Sequence, residues 1–306
     1  MTNHNIIIPA SVPNSMEKEF MNNYLLITKK TQRLFLFSCD QKIEHLNSDF
    51  YGTNIHSDAM HPEHLFRIAQ EGTIGALATH LGLISRYGKQ YTNINYIVKL
   101  NAKTNIISTN QSDPISRALW SIKQVVDLKK ECSLNICGIG FTIYFGSEYE
   151  SIMLEQAAHI IYEAHQHGLT TILWMYPRGK AIPDKQTTDL TASAAGIANS
   201  LGADFVKIKP PRTAKVLTSA QLLKIVTAAA GNINVICSGG SIMEPRLFLE
   251  KLYNQIHTGG TAGCATGRNI FQRSLPQAIA MTQAIASIVY ENADIKTILQ
   301  KYKIRS

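Results

Sequence analysis

The chain has 306 residues, of which 45% are hydrophobic and 17% are charged, and its formal net charge is +8. A chain of this length folds as two ordinary domains or as one large barrel. No apolar stretch reaches the roughly 20 residues that cross a bilayer, and the N-terminus does not read as a signal peptide, so we expect a cytoplasmic protein without a membrane span.

The basic residues are spread along the chain and form no dense Lys/Arg run with interleaved aromatic residues. The sequence therefore does not predict a nucleic-acid-binding protein, and a few cations aimed at an anionic substrate explain the charge as well. The five cysteines are an odd number at scattered spacings. They predict small buried core residues rather than a disulfide framework or a CxxC metal site.

Eight short apolar runs recur along the chain, and near-continuous runs of this kind predict strands buried on both faces. In chain order they cover residues 33–39, 73–79, 94–100, 136–144, 169–176, 203–209, 233–239 and 262–267. Amphipathic spacing and start and stop signals predict helices between these runs, the last of which closes the chain. The predicted helices cover residues 57–72, 115–131, 151–168, 187–202, 218–231, 244–256 and 273–291.

Eight strands that alternate with helices predict an α/β fold, namely a (β/α)8 TIM barrel. A doubly wound open sheet is the alternative, because periodicity alone does not show that a sheet closes. Pro9, Pro13 and Asn14 interrupt any regular pattern near the N-terminus. We therefore expect an N-terminal extension over residues 1–30, followed by a barrel domain over residues 31–306.

Unusual polar residues follow the predicted strands, at the edge where a barrel places its reactive groups. They are Asp40, Lys99, Asn101, Tyr144, Ser147, Trp174, Tyr176, Arg178, Lys207 and Lys209. Two short turns, Ser238-Gly239-Gly240 after the seventh strand and Gly267-Arg268 after the eighth, combine glycine N–H groups with a guanidinium. Glycines also make ordinary tight turns, but a pair at these two places predicts a phosphate-binding site.

Lys207 lies in the apolar sixth run, where a charged ammonium is costly to bury. Burial and the neighbouring Lys209 both lower the pKa of such a lysine, and a neutral amine can condense with a carbonyl to form a Schiff base. Snorkelling or salt-bridged lysines are the alternative interpretation. Tyr176 and Asp40 are candidates for proton transfer on the same rim, although they could also be a packing residue and a helix cap.

The histidines do not predict a metal site. His56, His61 and His64 cluster near a helix start, but their spacing is a weak pattern, and no HExxH motif occurs in the chain. We therefore expect neither a metal nor another cofactor.

Seven stretches, in the same order, resemble the archaeal-type class I fructose-1,6-bisphosphate aldolases, within the Schiff-base aldolases that include deoxyribose-phosphate aldolase. The stretches are CDQKIEHLNSDF (39–50), YIVKLNAKT (96–104), GFTIYFGS (140–147), LWMYPRGK (173–180), LGADFVKIK (201–209), CSGG (237–240) and ATGRNIFQR (265–273). The resemblance implies a homo-oligomeric carbon–carbon lyase that reversibly cleaves fructose 1,6-bisphosphate to dihydroxyacetone phosphate and glyceraldehyde 3-phosphate.

The resemblance also implies roles for individual residues. Lys207 resembles the Schiff-base lysine, Tyr176 the general acid and base, and Asp40 the aspartate that assists proton transfer. The remaining substrate and phosphate contacts are implied for Trp174, Arg178, Lys209, Ser238, Gly239, Gly240, Gly267 and Arg268.

The chain departs from the family pattern in three places. Its N-terminal extension is longer than expected, and the residues that follow Asp40 and Lys209 differ from those of the family. Gln41 and Lys42 follow Asp40 in place of His-Gly, and residues 210–213 read PPRT in place of Tyr-Thr-Gly. Two alternatives therefore stay open. One is a related Schiff-base aldolase or transaldolase, such as 2-amino-3,7-dideoxy-threo-hept-6-ulosonate synthase, although Trp174 and the Lys207–Lys209 spacing favour the aldolase. The other is a phosphosugar-binding barrel without catalysis.

Overall fold

Eight parallel strands close into a barrel in the computed structural model, which describes residues 6–44, 49–104, 113–182, 187–212 and 216–302. The strands are β1 (Leu34–Ser38), β2 (Ala76–His80), β3 (Tyr96–Lys99), β4 (Ile136–Phe145), β5 (Thr170–Pro177), β6 (Phe205–Ile208), β7 (Asn234–Ser238) and β8 (Gly263–Thr266). Each strand pairs with the next along the chain, and β8 pairs with β1, with Cys264 opposite Phe35. This closure confirms the predicted TIM barrel and excludes the open sheet.

Helices connect the strands and cover the outside of the barrel. They are Glu17–Thr28, Gln41–Glu44, Glu63–Glu71, Leu81–Tyr87, Ile122–Cys132, Glu150–Gln166, Thr188–Ser200, Ser219–Ala229, Pro245–His257, Arg268–Phe271, Leu275–Glu291 and Ile295–Lys301. Single 3-10 turns occupy Asn14–Met16, Ser57–Met60 and Gly88–Gln90, and the short strands Asn101–Ala102 and Arg117–Ala118 form an antiparallel pair beyond β3.

Three predicted helix boundaries are wrong, each for a local reason. The helix predicted for residues 57–72 is split, because Pro62 disfavours helical backbone at His61, which is extended with φ −90° and ψ 119°. The helix predicted from residue 115 begins only at Ile122, where Ser121 and Gln124 form a capping box. The helix ending at Glu291 does not close the chain, since Ile295–Lys301 follows it, capped by Asp294.

The N-terminal segment is more regular than predicted. The prolines that interrupt it lie before the helix Glu17–Thr28, which carries the buried side chains Phe20, Tyr24 and Ile27 on one face. These side chains pack in one cluster with the inward residues of the barrel strands. The division into an extension and a barrel domain at residue 30 stays a prediction.

The strands are buried along almost their whole length, as their apolar sequences predicted. All five cysteines are free, four of them buried and Cys132 half-buried, which confirms their assignment as core residues. Within the described ranges, no helix is long and apolar enough to cross a membrane.

Candidate active site

A cavity of about 180 Å³ opens at the carboxyl ends of the barrel strands. Of the residues for which the family resemblance implies a role, all except Trp174 line it. The complete lining is Asp40, Glu44, Tyr144, Tyr176, Pro177, Arg178, Lys207, Lys209, Ser238, Gly239, Gly240, Ala265, Gly267 and Arg268. The barrel therefore brings together side chains that follow six different strands.

Lys207 lies on β6 between Trp174 of β5 and Ile236 of β7, and only 5% of its surface is exposed. Its Nζ donates to Ser38 Oγ at 2.7 Å, and Ser38 Oγ donates to Asp40 Oδ1 at 3.3 Å. The pKa of Lys207 is lowered, first by burial and then by Lys99, against the opposing effects of Asp40 and Glu44. A lowered pKa increases the fraction of neutral, nucleophilic amine at neutral pH.

Lys209 lies at the exposed rim of the cavity and does not have the effect on Lys207 that its spacing suggested. The neighbouring cation that lowers the pKa of Lys207 is Lys99, which is fully buried on β3. The pKa of Lys209 is itself lowered by burial and then by Arg178, Arg212, Lys251 and Arg268. Lys209 therefore belongs to a group of cations around the mouth of the cavity.

Trp174 lies beneath Lys207 and is only 1% exposed, so it does not line the cavity. Lys207 Nζ is 4.9 Å from the centroid of the indole ring, a distance at which a cation is attracted to the ring face. Gly140 on β4 provides the space for this ring, because a Cβ at that position would lie 2.1 Å from it. The structure thus gives Trp174 a supporting position below Lys207.

Tyr176 lies beside Tyr144, with ring centroids 6.5 Å apart. The Arg178 guanidinium lies 5.7 Å from the Tyr144 ring and 5.9 Å from the Tyr176 ring. Burial raises the pKa of Tyr176, and the carboxylates of Asp40 and Glu44 raise it further. The Tyr176 phenol is therefore protonated at neutral pH and can donate its proton.

Asp40 follows β1 and is 3% exposed. Burial alone raises the pKa of its carboxyl, but Lys207, Lys99 and His80 together lower it below the ordinary value. Asp40 is therefore a carboxylate at neutral pH and can accept a proton. Asp40 and Tyr176 thus supply a base and an acid to the same cavity.

The two glycine turns follow the neighbouring strands β7 and β8, and β8 pairs with β1, the strand that Asp40 follows. The Gly239 N–H donates to Ala265 O at 2.9 Å, so this N–H group is already occupied. The buried Asn269 amide connects the turns, since it donates to Gly239 O at 3.3 Å and to Ser241 O at 3.0 Å. Arg268 pairs with Asp49 at 3.4 Å and still lines the cavity.

The sequence indicates no role for Ser38, Glu44 or Asn269. It places Lys99 and Tyr144 among the polar residues at the strand ends, but without a role for either. The signal for Ser38 was available, because it lies two positions before Asp40 and residues at that spacing share a face of a strand. Glu44 lies within the stretch CDQKIEHLNSDF (39–50), but only the fold shows that its side chain lines the cavity.

Two histidines of the weakly predicted cluster make hydrogen-bond contacts within the chain. His64 contacts Arg273 O at 3.1 Å, and the His56 side chain accepts from Asp58 N at 3.3 Å. In the part of the chain that the structure describes, no group of three or more His, Cys, Asp or Glu side chains could hold a metal ion.

Comparison with known proteins places the chain among aldolases. A protein of Methanocaldococcus jannaschii named fructose-bisphosphate aldolase/6-deoxy-5-ketofructose 1-phosphate synthase is 50% identical over 96% of this chain and 94% of its own length. A solved fructose-bisphosphate aldolase from Slackia heliotrinireducens is 45% identical, with a TM-score of 0.96 over 99% of this chain and 95% of its own.

A third similar structure is an archaeal fructose-1,6-bisphosphate aldolase whose catalytic Lys is covalently bound to the carbinolamine intermediate of the substrate. It is 28% identical, with a TM-score of 0.75 over 89% of this chain and 99% of its own. Residues 34–273, from the first barrel strand to just beyond the last, match the family described as DeoC/LacD family aldolase. With its closed barrel and its lysine-containing cavity, the chain belongs to the DeoC/LacD family of aldolases.

Proposed function

We propose that this aldolase is a class I, Schiff-base enzyme that reversibly cleaves fructose 1,6-bisphosphate to dihydroxyacetone phosphate and glyceraldehyde 3-phosphate. The observation that carries the proposal is Lys207, a buried lysine of lowered pKa that reaches a cavity containing a carboxylate and a phenol. The names of the Methanocaldococcus, Slackia and archaeal relatives support the substrate, and the covalent lysine intermediate of the archaeal relative supports the chemistry.

The reaction begins when the neutral amine of Lys207 attacks the C2 ketone and the resulting carbinolamine loses water to form an iminium. The C4 hydroxyl then loses its proton, the C3–C4 bond breaks, and its electron pair moves into the iminium to give an enamine and glyceraldehyde 3-phosphate. Protonation of the enamine at C3 and hydrolysis of the imine release dihydroxyacetone phosphate and regenerate Lys207. Asp40, as the carboxylate, and Tyr176, as the protonated phenol, are the proton carriers.

The two phosphates are held by separate groups around the cavity. Ser238, Gly240, Gly267 and Arg268 bind the phosphate on the donor half, while Arg178 and Lys209 contact the other phosphate or the sugar hydroxyls. Fixing the substrate at both ends aligns the ketone with Lys207, and such alignment can supply several kcal/mol of the barrier, up to about 7–11 in the best cases. Trp174 supports Lys207 from below.

Borohydride reduction in the presence of dihydroxyacetone phosphate tests the covalent step. We expect mass mapping to find the reduced adduct on Lys207, to lose it in Lys207→Met and to retain it in the matched variant Lys209→Met. An adduct absent from Lys207 in the native chain, or activity abolished by a chelator, would contradict the proposal. Ligand binding without any turnover would instead favour a non-catalytic phosphosugar-binding barrel.

A second activity is favoured by the 50% identical relative, whose name includes 6-deoxy-5-ketofructose 1-phosphate synthase. That product carries its phosphate only on C1, so the acceptor half has none. The enamine on Lys207 would attack an unphosphorylated aldehyde to form such a product. Incubation with fructose 1,6-bisphosphate and a small 2-oxoaldehyde, followed by mass spectrometry, tests this transfer, and cleavage products alone would exclude it.

A homo-oligomer in the cytoplasm is part of the same proposal. Light scattering of the purified chain measures the oligomeric state, and a monomer at assay concentration would contradict it. Residues 1–30 are likewise proposed to form an N-terminal extension ahead of the barrel domain.

A further inference from the structure

The Arg178 turn (residues 178–182) packs backbone to backbone against the loop that follows the neighbouring strand. The turn follows β5, and the loop follows β4, which pairs with β5 along its whole length. The N–H groups of Arg178 and Gly179 both donate to Phe145 O, at 3.2 and 3.4 Å. A Cβ at Gly179 would lie 1.3 Å from Gly146 O, so glycine is needed for the two chains to approach this closely.

Asp113 connects the Arg178 turn to the loop after β4. One carboxyl oxygen of Asp113 accepts a hydrogen bond from Lys180 N at 2.6 Å, and the other accepts one from Glu148 N at 3.3 Å. The next residue adds a third contact, because Ser147 Oγ donates to Pro114 O at 2.8 Å. A single side chain thus pairs with backbone N–H groups of two different loops.

The side chain of Arg178 is held as well, although it is exposed at the mouth of the cavity. Its guanidinium lies close enough to the Tyr144 and Tyr176 rings to be attracted to them. Lys180, the partner of Asp113, lies only two residues further along the chain. The hydrogen bond to Asp113 therefore fixes the backbone from which the guanidinium reaches the rings, and binding an anion to an arginine already in place costs less entropy than ordering a free one.

Asp113 is half-buried and does not line the cavity, so it acts on a substrate through the groups that it holds. Those groups follow β4 and β5. The glycine turns proposed for the phosphate of the donor half follow β7 and β8 instead. We therefore expect a change at Asp113 to affect one end of the substrate and not the other.

We propose that Asp113 is a positioning residue that sets the preference of this aldolase for a substrate with a second phosphate. It holds the Arg178 turn against the loop after β4, which places the guanidinium for the phosphate remote from the ketone. The inference rests on the proposed function, in which Lys207 forms the Schiff base and Arg178 contacts the other end of the substrate.

The test compares a ligand that has two phosphates with one that has a single phosphate. We expect Asp113→Ala to lower kcat/KM for fructose 1,6-bisphosphate about tenfold, chiefly through a raised KM, because two backbone hydrogen bonds to Asp113 are lost. The concentration of dihydroxyacetone phosphate that gives half-maximal borohydride-trapped adduct on Lys207 should change by less than about twofold. Asp113→Asn keeps one acceptor oxygen, so its kcat/KM should lie between those of Asp113→Ala and the native chain.

A double-mutant cycle separates a positioning role from a general structural one. Arg178→Ala should itself lower kcat/KM for fructose 1,6-bisphosphate, and adding Asp113→Ala to it should cause little further loss, because Asp113 acts through Arg178. Two losses that simply add would overturn the inference. Asp294→Ala is the matched control, since Asp294 also accepts from a backbone N–H, that of Thr297 at 3.0 Å, but caps the last helix and should leave both measurements native.

Circular dichroism establishes that the variants fold, and if Asp113→Ala does not, Asp113→Asn carries the test. Folded variants with a native kcat/KM for fructose 1,6-bisphosphate, or with equal losses for both ligands, overturn the inference alone. A native chain that forms no adduct on Lys207 overturns the proposed function, and this inference with it.

Discussion

At the scale of single residues, Ser38 connects the two groups that the proposed chemistry needs, namely Lys207 as a neutral amine and Asp40 as a charged carboxylate. It accepts a hydrogen bond from Lys207 at 2.7 Å and donates one to Asp40 at 3.3 Å, and all three side chains are buried. A hydroxyl can donate and accept at once, so one small side chain orients an amine and a carboxylate together. Alanine at this position would remove both hydrogen bonds.

Ser38→Ala should therefore reduce turnover without greatly weakening substrate binding. Loss of one buried hydrogen bond to an ionisable group is worth about 1.5–3 kcal/mol, and we expect kcat to fall about tenfold or more with KM nearly unchanged. Steady-state kinetics measure this. Ser116→Ala is the matched control, because the Ser116 hydroxyl is buried and has no hydrogen-bond partner among the described residues. A raised KM with native kcat would show that Ser38 contacts substrate instead.

At the scale of elements, the helix Glu17–Thr28 closes the amino-terminal end of the barrel. The Phe20 ring lies 5.8 Å from His165, with the two ring planes at 85°, and the Tyr24 ring stacks on Phe205 at 5.4 Å. His165 in turn contacts Ser11 Oγ at 2.7 Å and Asp204 Oδ2 at 3.2 Å. These contacts pack the helix against the amino-terminal end of the barrel, while the candidate active-site cavity opens at the opposite end.

Truncation of Phe20 tests how firmly this helix is packed. Phe20 is fully buried, so Phe20→Ala should lower the free energy of unfolding by about 3–5 kcal/mol. Leu26 lies on the same helix but is 48% exposed, and Leu26→Ala should change it by no more than about 0.5 kcal/mol. Denaturant titration compares the two, with kcat of the folded fraction as a check. Equal effects of both substitutions would show that the helix is only loosely docked.

At the scale of the whole molecule, the chain has a net charge of +8, and several of its cations lie around the mouth of the cavity. Arg178, Lys209 and Arg268 line the cavity, and Arg212 and Lys251 lie close enough to lower the pKa of Lys209. The carboxylates of the lining, Asp40 and Glu44, lie near the buried lysines. A bisphosphate approaching from solvent therefore meets cations first.

Salt should weaken this attraction more than it affects the chemistry, because exposed charges are screened and buried charges are screened far less. As the salt concentration rises from about 0.05 to about 0.5 M, we expect KM for fructose 1,6-bisphosphate to rise several-fold while kcat changes by less than about twofold. Lys209→Gln should reduce this salt dependence and Lys123→Gln should not. A fall in kcat with constant KM would argue against electrostatic steering.

The positions of the strands could be predicted because their signals are local. Each of the eight apolar runs overlaps a barrel strand, and three of the strands extend one residue beyond the run. Runs buried on both faces differ in sequence from amphipathic helices. The hydrophobic periodicity did not predict where two of the helices begin. Local signals set these boundaries, namely the proline at Pro62 and the capping box at Ser121. The N-terminal helix was missed because three helix-breaking residues lie just before it.

The grouping of the candidate site residues at one end of the barrel was also predictable, because the carboxyl ends of the parallel strands all lie at that end. That rule alone brought Asp40, Tyr176 and Lys207 together across 168 positions of the chain, counted from 40 to 207 inclusive. It does not distinguish a side chain that lines the cavity from one that lies beneath it. The family resemblance implied a substrate contact for Trp174, whereas the structure places this side chain outside the lining of the cavity.

The sequence by itself determined which residues lie in strands and which strand ends carry reactive groups, since both follow from local patterns. The tertiary structure alone decided which groups control each other: Ser38 with Lys207, and Lys99 rather than Lys209 as the cation that lowers the pKa of Lys207. The physical reason is that a pKa depends on burial and on charges within a few ångströms, and residues from β1, β3 and β6 become neighbours only when the barrel closes.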